Sequence, residues 1–119
     1  MNKTLVFGAS PNPARYSNIA IRRLVENQIE TEAFGLRSGA VSGVKIRDEL
    51  QSFQNIDTLT LYLNPKRQQE YYQPIIDMAP RRVIFNPGTE NPEFQSLLKE
   101  NNIEVEVACT LVLLATGQY

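Results

Sequence analysis

The sequence predicts an α/β protein, with about five parallel strands and helices packed on both faces of the sheet. One observation is alternation. Short runs of β-branched and apolar residues take turns with longer stretches whose apolar residues recur at helical spacing. Such alternation makes a parallel sheet, because each crossover helix returns the chain to the same edge with right-handed sense. The second observation is where the unusual residues fall: Gly8 to Arg15, Gly35 to Arg37, Tyr62 to Asn64 and Asn86 to Gly88 all follow a strand. In this fold those turns share the carboxyl edge of the sheet, where ligands bind at the reversal of strand order.

Size and composition set the outer bounds. A chain of 119 residues is long enough for one domain with a real core and too short for two, so residues 1–119 read as a single unit. The formal charge of -1 gives no nucleic-acid or membrane footprint. Residues 1–50 nevertheless hold seven Lys or Arg against five acids, and the remainder five against eight, which tilts an anion site toward the first half. No membrane span or basic-then-apolar leader is evident, and the single cysteine, Cys109, fits a reducing compartment. A cytoplasmic location is expected. With no histidine, Ser-His-Asp and Cys-His catalysis and His-ligated metal sites are excluded, and no metal site is expected.

The first strand, about Lys3 to Phe7, is apolar nearly throughout, as a central strand covered on both faces should be. It stops at Gly8, passes Ala9-Ser10-Pro11-Asn12-Pro13-Ala14-Arg15-Tyr16, and enters a helix that Ser17 or Asn18 is able to cap. Ala20, Ile21, Leu24 and Val25 face the sheet, and Arg22 and Arg23 a solvated side. A glycine lets the backbone turn sharply and approach a ligand, and free N–H groups at a helix start suit a phosphate or diphosphate. The dinucleotide fingerprint G-x-G-x-x-G is absent, since Ser10 and Pro13 stand at its second and third positions, so a purely structural turn remains open.

Thr31 to Gly35 read as the second strand. Where an NAD site would place an acid, this strand ends in Gly35-Leu36-Arg37, and a cation there suits a nucleotide with an extra ribose phosphate, NADP and coenzyme A alike. An ordinary exposed loop arginine is an equal alternative. Ser38 to Gly43 form a small flexible loop, Val44-Lys45-Ile46 a short extended piece, and Asp48 to Phe53 a brief helix. Asn55 to Leu63 make the third strand, at whose end Tyr62 is a core aromatic or a ligand contact.

Asn64-Pro65 opens a helix, with Asn as cap and Pro at the first helical position. It runs toward Met78, with Pro74 expected to kink or split it and Tyr72, Ile75, Ile76 and Ala79 on a common apolar face. Arg81-Arg82 lead into the fourth strand, Val83-Ile84-Phe85, and then the turn Asn86-Pro87-Gly88-Thr89. Asn91-Pro92 opens the next helix, with Phe94, Leu97 and Leu98 facing in. Ile103 to Val107 alternate strictly, with acids on one side, as an edge strand does. The tail Thr110 to Gly117 is a short helix apolar nearly all round, which must pack against the sheet or make a homodimer.

Together these residues resemble the small single-domain CoA-binding proteins, whose Rossmann-like fold also forms the CoA-binding domain of the succinyl-CoA synthetase alpha subunit. The marks are Val6-Phe7-Gly8-Ala9-Ser10-Pro11-Asn12-Pro13-Ala14-Arg15-Tyr16-Ser17, the spacing to the second strand, Val41 to Ile46, the Asn86-Pro87-Gly88 turn, and Cys109 after the last strand. The resemblance spans nearly the whole chain and implies a three-layer sandwich that binds coenzyme A or an acyl-CoA. It implies that Gly8, Ala9, Ser10 and Pro11 turn around the diphosphate, with Arg15, Tyr16, Ser17 and Asn18 nearby. Gly35 and Leu36 would then belong to the site with Arg37, which would lie near the adenosine 3′-phosphate, with Tyr62, Leu63 and Asn64 at the adenine or diphosphate, and Asn86, Pro87 and Gly88 along the pantetheine arm. On that reading Gly8→Val fills the diphosphate's space in a protein that still folds.

No pair of side chains at readable spacing acts as acid and base together, and the phosphorylated histidine of a synthetase has no counterpart, so no catalytic residue is assigned. A non-catalytic binding, carrier or sensor protein is the leading expectation. An NADP-dependent reductase using Tyr62, a Cys109-dependent acyl-transfer enzyme, and an interaction module without ligand are the alternatives.

Overall fold

The computed structural model describes residues 2–119. Its strands are β1 (Thr4–Phe7), β2 (Thr31–Phe34), β3 (Gly39–Val41), β4 (Val44–Arg47), β5 (Thr58–Leu61), β6 (Arg82–Phe85) and β7 (Glu104–Val107). The helices are α1 (Tyr16–Glu26), α2 (Pro65–Gln68), α3 (Tyr72–Met78), α4 (Pro92–Glu100) and α5 (Thr110–Ala115). The strands form one sheet in the order β3-β4-β2-β1-β5-β6-β7. Every neighbouring pair is parallel except β3 with β4. From β1 the chain builds outward through β2 and β4, then crosses back to β5 and builds the other way, so strand order reverses between β1 and β5.

Alternation along the central strands divides the core into two layers. Leu5, Phe7, Phe34, Leu59, Leu61, Val83 and Phe85 pack with Ile75, Phe94 and Leu98 beneath α3 and α4. Val6, Ala33 and Ile46 pack on the opposite side with Ile21 and Leu24 of α1. All four residues of β1, β5 and β6 are buried, the property of strands covered on both faces. As expected, β1 is central and β7 lies at an edge. Helix α5 sends Leu114 into the layer under α1 and leaves Val112 exposed.

The strand count is seven where the sequence predicts about five. The difference is a hairpin. Residues 38–43, expected as a flexible loop, include β3, which pairs antiparallel with β4 as Gly39↔Ile46 and Val41↔Val44. Ser42 and Gly43 turn it with φ of 50° and 81°, the pair of positive angles that matches the twist of a two-residue hairpin. The expected helix over 48–53 is only a 3-10 turn at Leu50–Ser52, and the long third strand contracts to β5.

Two helix boundaries also differ. Helix α1 starts at Tyr16, and neither Ser17 nor Asn18 caps it. Asn12 organises the entry instead, its Oδ1 accepting from Ala14 N at 3.0 Å and its carbonyl from Arg15 N at 3.1 Å. Asn18 is buried and ties the turn to the helix: its Nδ2 donates to Ser10 O, and its Oδ1 accepts from Arg22 Nε, each at 3.0 Å. Arg22 is accordingly not a merely solvated residue, since it also donates to Pro13 O.

The helix after Asn64 is broken four residues before Pro74, at a 3-10 turn over Gln69–Tyr71, so Pro74 falls in the first turn of α3. A proline ring clashes with the carbonyl four positions earlier, here Glu70, while in a first turn its missing N–H removes no helical bond. Ala79 is not on the apolar face. It is exposed, with φ 50° and ψ 53°, as the left-handed residue that ends α3.

Candidate functional site

The turns after β1, β2, β5 and β6 surround one cleft of about 630 Å³ at the carboxyl edge of the sheet, across the point where strand order reverses. Of the residues expected at the site, Gly8, Ala9, Ser10, Arg15, Tyr16, Ser17, Gly35, Leu36, Arg37, Tyr62, Leu63, Asn64, Pro87 and Gly88 line it. Pro11, Asn18 and Asn86 do not. Pro11 lies against Gly39 of β3, where a Cβ added to the glycine would come within 2.9 Å of the Pro11 ring. Asn86 is buried beneath the cleft, where it donates to Thr60 Oγ1 at 2.7 Å and Leu61 O at 2.9 Å and accepts from Thr110 N at 2.8 Å. It fixes the end of β6 to β5 and to the start of α5.

Gly8 has φ +100°, and a Cβ there would meet Leu63 Cδ2 at 3.1 Å and the Tyr62 carbonyl carbon at 3.2 Å. The missing side chain thus makes room for the neighbouring strand end, so Gly8→Val strains the fold itself. Gly8 N and Ala9 N both donate to Phe34 O, at 2.9 and 2.7 Å. Their N–H groups hold β1 to β2 and are not turned to a ligand. On this wall the backbone donors with no partner among the described residues are those of Ser10, Tyr16 and Ser17, the last two opening α1, whose first turn has no side-chain cap. Gly35 is the site of the closest packing, since a Cβ there would stand 2.3 Å from Ala9 O.

Sequence reasoning missed Asn12, Phe34, Arg67, Tyr71 and Thr89, which also line the cleft. Arg67 and Tyr71 come from the segment that follows β5. The Asn64 cap is formed as expected, its Oδ1 accepting from Arg67 N at 2.9 Å, so Arg67 lies one turn from the strand end. That spacing was the available signal. Gln68, fully buried, anchors this segment: its Nε2 donates to Leu63 O at 2.8 Å and Thr89 O at 2.9 Å, and its Oε1 accepts from Asn91 Nδ2 at 2.9 Å.

The electrostatics favour an anion. Arg15, Arg37 and Arg67 all reach the cleft, and none makes an ion pair or a side-chain hydrogen bond among the described residues. The other arginines are engaged in such contacts, as Arg82 is with Glu106 at 2.8 Å. Tyr16 and Leu36 add apolar surface at the rim, 71% and 62% exposed, where a flat or aliphatic group has something to lie against. Tyr62 lines the cleft and packs against the core beneath α1. Its hydroxyl is buried without a partner, and burial pushes its pKa up to about 12. Cys109, half-buried at the start of α5, does not line the cleft.

Among the described residues no helix is long and apolar enough to cross a membrane, and no group of three or more His, Cys, Asp or Glu gathers where it could hold a metal ion.

Among solved structures, the chain is similar to a crystal structure of an uncharacterized protein, with 44% identity and a TM-score of 0.96 over 100% of this chain and 98% of the other. A protein from Thermus thermophilus is 22% identical with a TM-score of 0.87, covering 99% and 90% of the two chains. A hypothetical protein from Pyrococcus horikoshii OT3 is 26% identical with a TM-score of 0.84, covering 93% and 80%. No curated protein sequence matches. Residues 2–115 match the family described as CoA binding domain, which is nearly the whole chain. The small Rossmann-like α/β protein read from the sequence is thus a member of the CoA binding domain family.

Proposed function

We propose that this protein binds coenzyme A or an acyl-CoA along the cleft at the carboxyl edge of the sheet, as a non-catalytic holder, carrier or sensor of the cofactor. The observation that carries the reading is the set of unpaired donors around that cleft: the arginines 15, 37 and 67 and the free N–H groups of Ser10, Tyr16 and Ser17. A ligand with a diphosphate and a separate ribose phosphate supplies the anionic oxygens such donors lack. A volume of about 630 Å³ lies within the roughly 300–1,000 Å³ usual for ligand sites. The residues present therefore fit the group. Ser10, Arg15 and Ser17 would hold the diphosphate, Arg37 the 3′-phosphate, and Pro87 and Gly88 would border the pantetheine arm.

The coenzyme itself supplies a thiol for acyl groups. The chain's own contribution is to bind and orient it. A non-catalytic role is favoured by the position of the two reactive candidates: the Tyr62 hydroxyl is buried with a pKa near 12, unsuited to giving a proton at neutral pH, and Cys109 is outside the cleft.

Thermal unfolding with CoA, NADP and NAD tests this. A ligand at about 100 times its Kd stabilises the native state by roughly 2.7 kcal/mol, which is several degrees in Tm for a chain of this size. CoA is expected to raise Tm and NAD to leave it unchanged. A shift with NADP alone would favour the reductase reading, and no shift with any of the three the interaction module.

A further inference from the structure

The wall of the cleft opposite the β1 turn carries a polar side chain set into the aromatic core. Tyr71 is about nine-tenths buried, its ring edge-on to Phe7 and Phe34 at centroid distances of 5.2 and 5.4 Å. It nevertheless lines the cleft, with the Glu70 carboxylate close enough to act on its hydroxyl. The ring is packed in the core while the hydroxyl is open to the cleft, where a bound group can accept its hydrogen bond. Arg67 lines the same cleft four residues earlier, one helical turn away, and its guanidinium makes no ion pair or hydrogen bond among the described residues. The two groups are close enough for the Arg67 charge to act on the phenol.

Neither position is accidental. Arg67 is set by the Asn64 cap and by the buried Gln68 next to it, and Tyr71 by the 3-10 turn that Pro74 imposes. On the facing wall, Gly8 and Ala9 have already given their N–H groups to Phe34 O. The donors left there are the N–H groups of Ser10, Tyr16 and Ser17 and the Arg15 guanidinium, all on the α1 side of the cleft.

We infer that Arg67 and Tyr71 form the second half of the anion site, gripping the ligand's diphosphate from the side opposite α1. This deepens the CoA reading and rests on it. The guanidinium presents N–H donors in a fork, and the phenol adds one O–H. Burial, with the Glu70 carboxylate adding to it and the Arg67 guanidinium opposing it, raises the Tyr71 pKa above the usual phenol value, so the hydroxyl is a donor at neutral pH.

The experiment is calorimetric titration of the full chain and of Arg67→Ala, Arg67→Lys and Tyr71→Phe with CoA and with dephospho-CoA, which lacks only the 3′-phosphate. Arg67→Ala is expected to weaken both ligands alike, by about tenfold to a hundredfold, as for loss of charge-assisted hydrogen bonds. Arg67→Lys should recover part of that loss, and Tyr71→Phe should weaken both by about threefold to tenfold. Arg67 is exposed and Tyr71→Phe keeps the ring, so unchanged Tm values will show that the variants fold. Wild-type affinity retained in Arg67→Ala and Tyr71→Phe would overturn this inference while leaving the CoA reading standing. A loss seen with CoA but not with dephospho-CoA would overturn it as well, by moving Arg67 to the 3′-phosphate. Failure of the wild-type protein to bind either ligand would remove both the inference and the reading beneath it.

Discussion

Ala79 closes α3 with φ 50° and ψ 53°, a conformation that places an L-residue's Cβ too near the following carbonyl oxygen. The strain is worth about 1–2 kcal/mol and is absent from glycine, whose greater freedom in the unfolded chain returns part of the difference. Ala79→Gly is therefore expected to stabilise the protein by roughly 0.5–1 kcal/mol in urea unfolding, with no effect on the cleft, since Ala79 is exposed and does not line it. Gly8 shows the converse. With φ +100° and Leu63 and Tyr62 within 3.2 Å of an added Cβ, Gly8→Ala is expected to destabilise by about 1–3 kcal/mol. A Gly8→Ala protein that keeps wild-type stability and loses only CoA affinity would return this residue to a direct ligand role.

At the scale of elements, the strength of the candidate site lies in how the short segments after each strand are pinned. α2 is only four residues long and has too few internal bonds to persist unaided. It is held by its Asn64 cap and by Gln68, which reaches both Leu63 O and Thr89 O while receiving Asn91 Nδ2. Asn91 in turn caps α4, accepting from Phe94 N at 3.1 Å, so one buried network joins two helix starts and the turn after β6. Replacing Gln68 with Leu leaves two carbonyls and one N–H of the Asn91 amide, whose other keeps Tyr72 Oη, without a partner in the interior, at a cost of about 1–3 kcal/mol for each group left unsatisfied. Gln68→Leu is thus expected to lower Tm by many degrees, whereas Asn64→Ala, at an exposed cap, should cost only about 1 kcal/mol. Both caps were legible because Asn-Pro states the cap and the first helical residue together. The Gln68 network was not, because a polar residue in an amphipathic helix gives no sign of being buried until its neighbours are placed.

At the scale of the whole molecule, the parallel α/β arrangement was legible because its signal is repetitive: apolar runs of strand length, separated by helical spacing, define β1, β2, β5, β6 and β7 from local sequence alone. The β3–β4 hairpin escaped because a three-residue strand of Gly39, Ala40 and Val41 has almost no periodicity, and its existence rests on pairing with β4. Most of the cleft was readable for the same reason as the sheet, since parallel strands bring their carboxyl ends together. Its second wall, at Arg67 and Tyr71, depends on where a helix breaks, which Pro74 decides from a distance. The opposite, amino end of the sheet is held by charge. Asp57, just before β5, accepts from Arg81 Nε at 2.9 Å and Nη2 at 3.2 Å and from Thr58 Oγ1 at 2.8 Å, joining the starts of β5 and β6. The Arg81 hydrogen bond is the main influence holding the Asp57 carboxyl below its ordinary value of 3.8, against the opposing effect of burial. A carboxyl depressed in the folded state contributes stability that is complete above its unfolded pKa and lost as pH falls through the folded one. Urea unfolding of wild type and Asp57→Asn between pH 6 and pH 3 should therefore converge: the variant is less stable at pH 6, and the gap narrows below about pH 4. A gap that stays constant across this range would show that Asp57 acts through its hydrogen bonds without its charge.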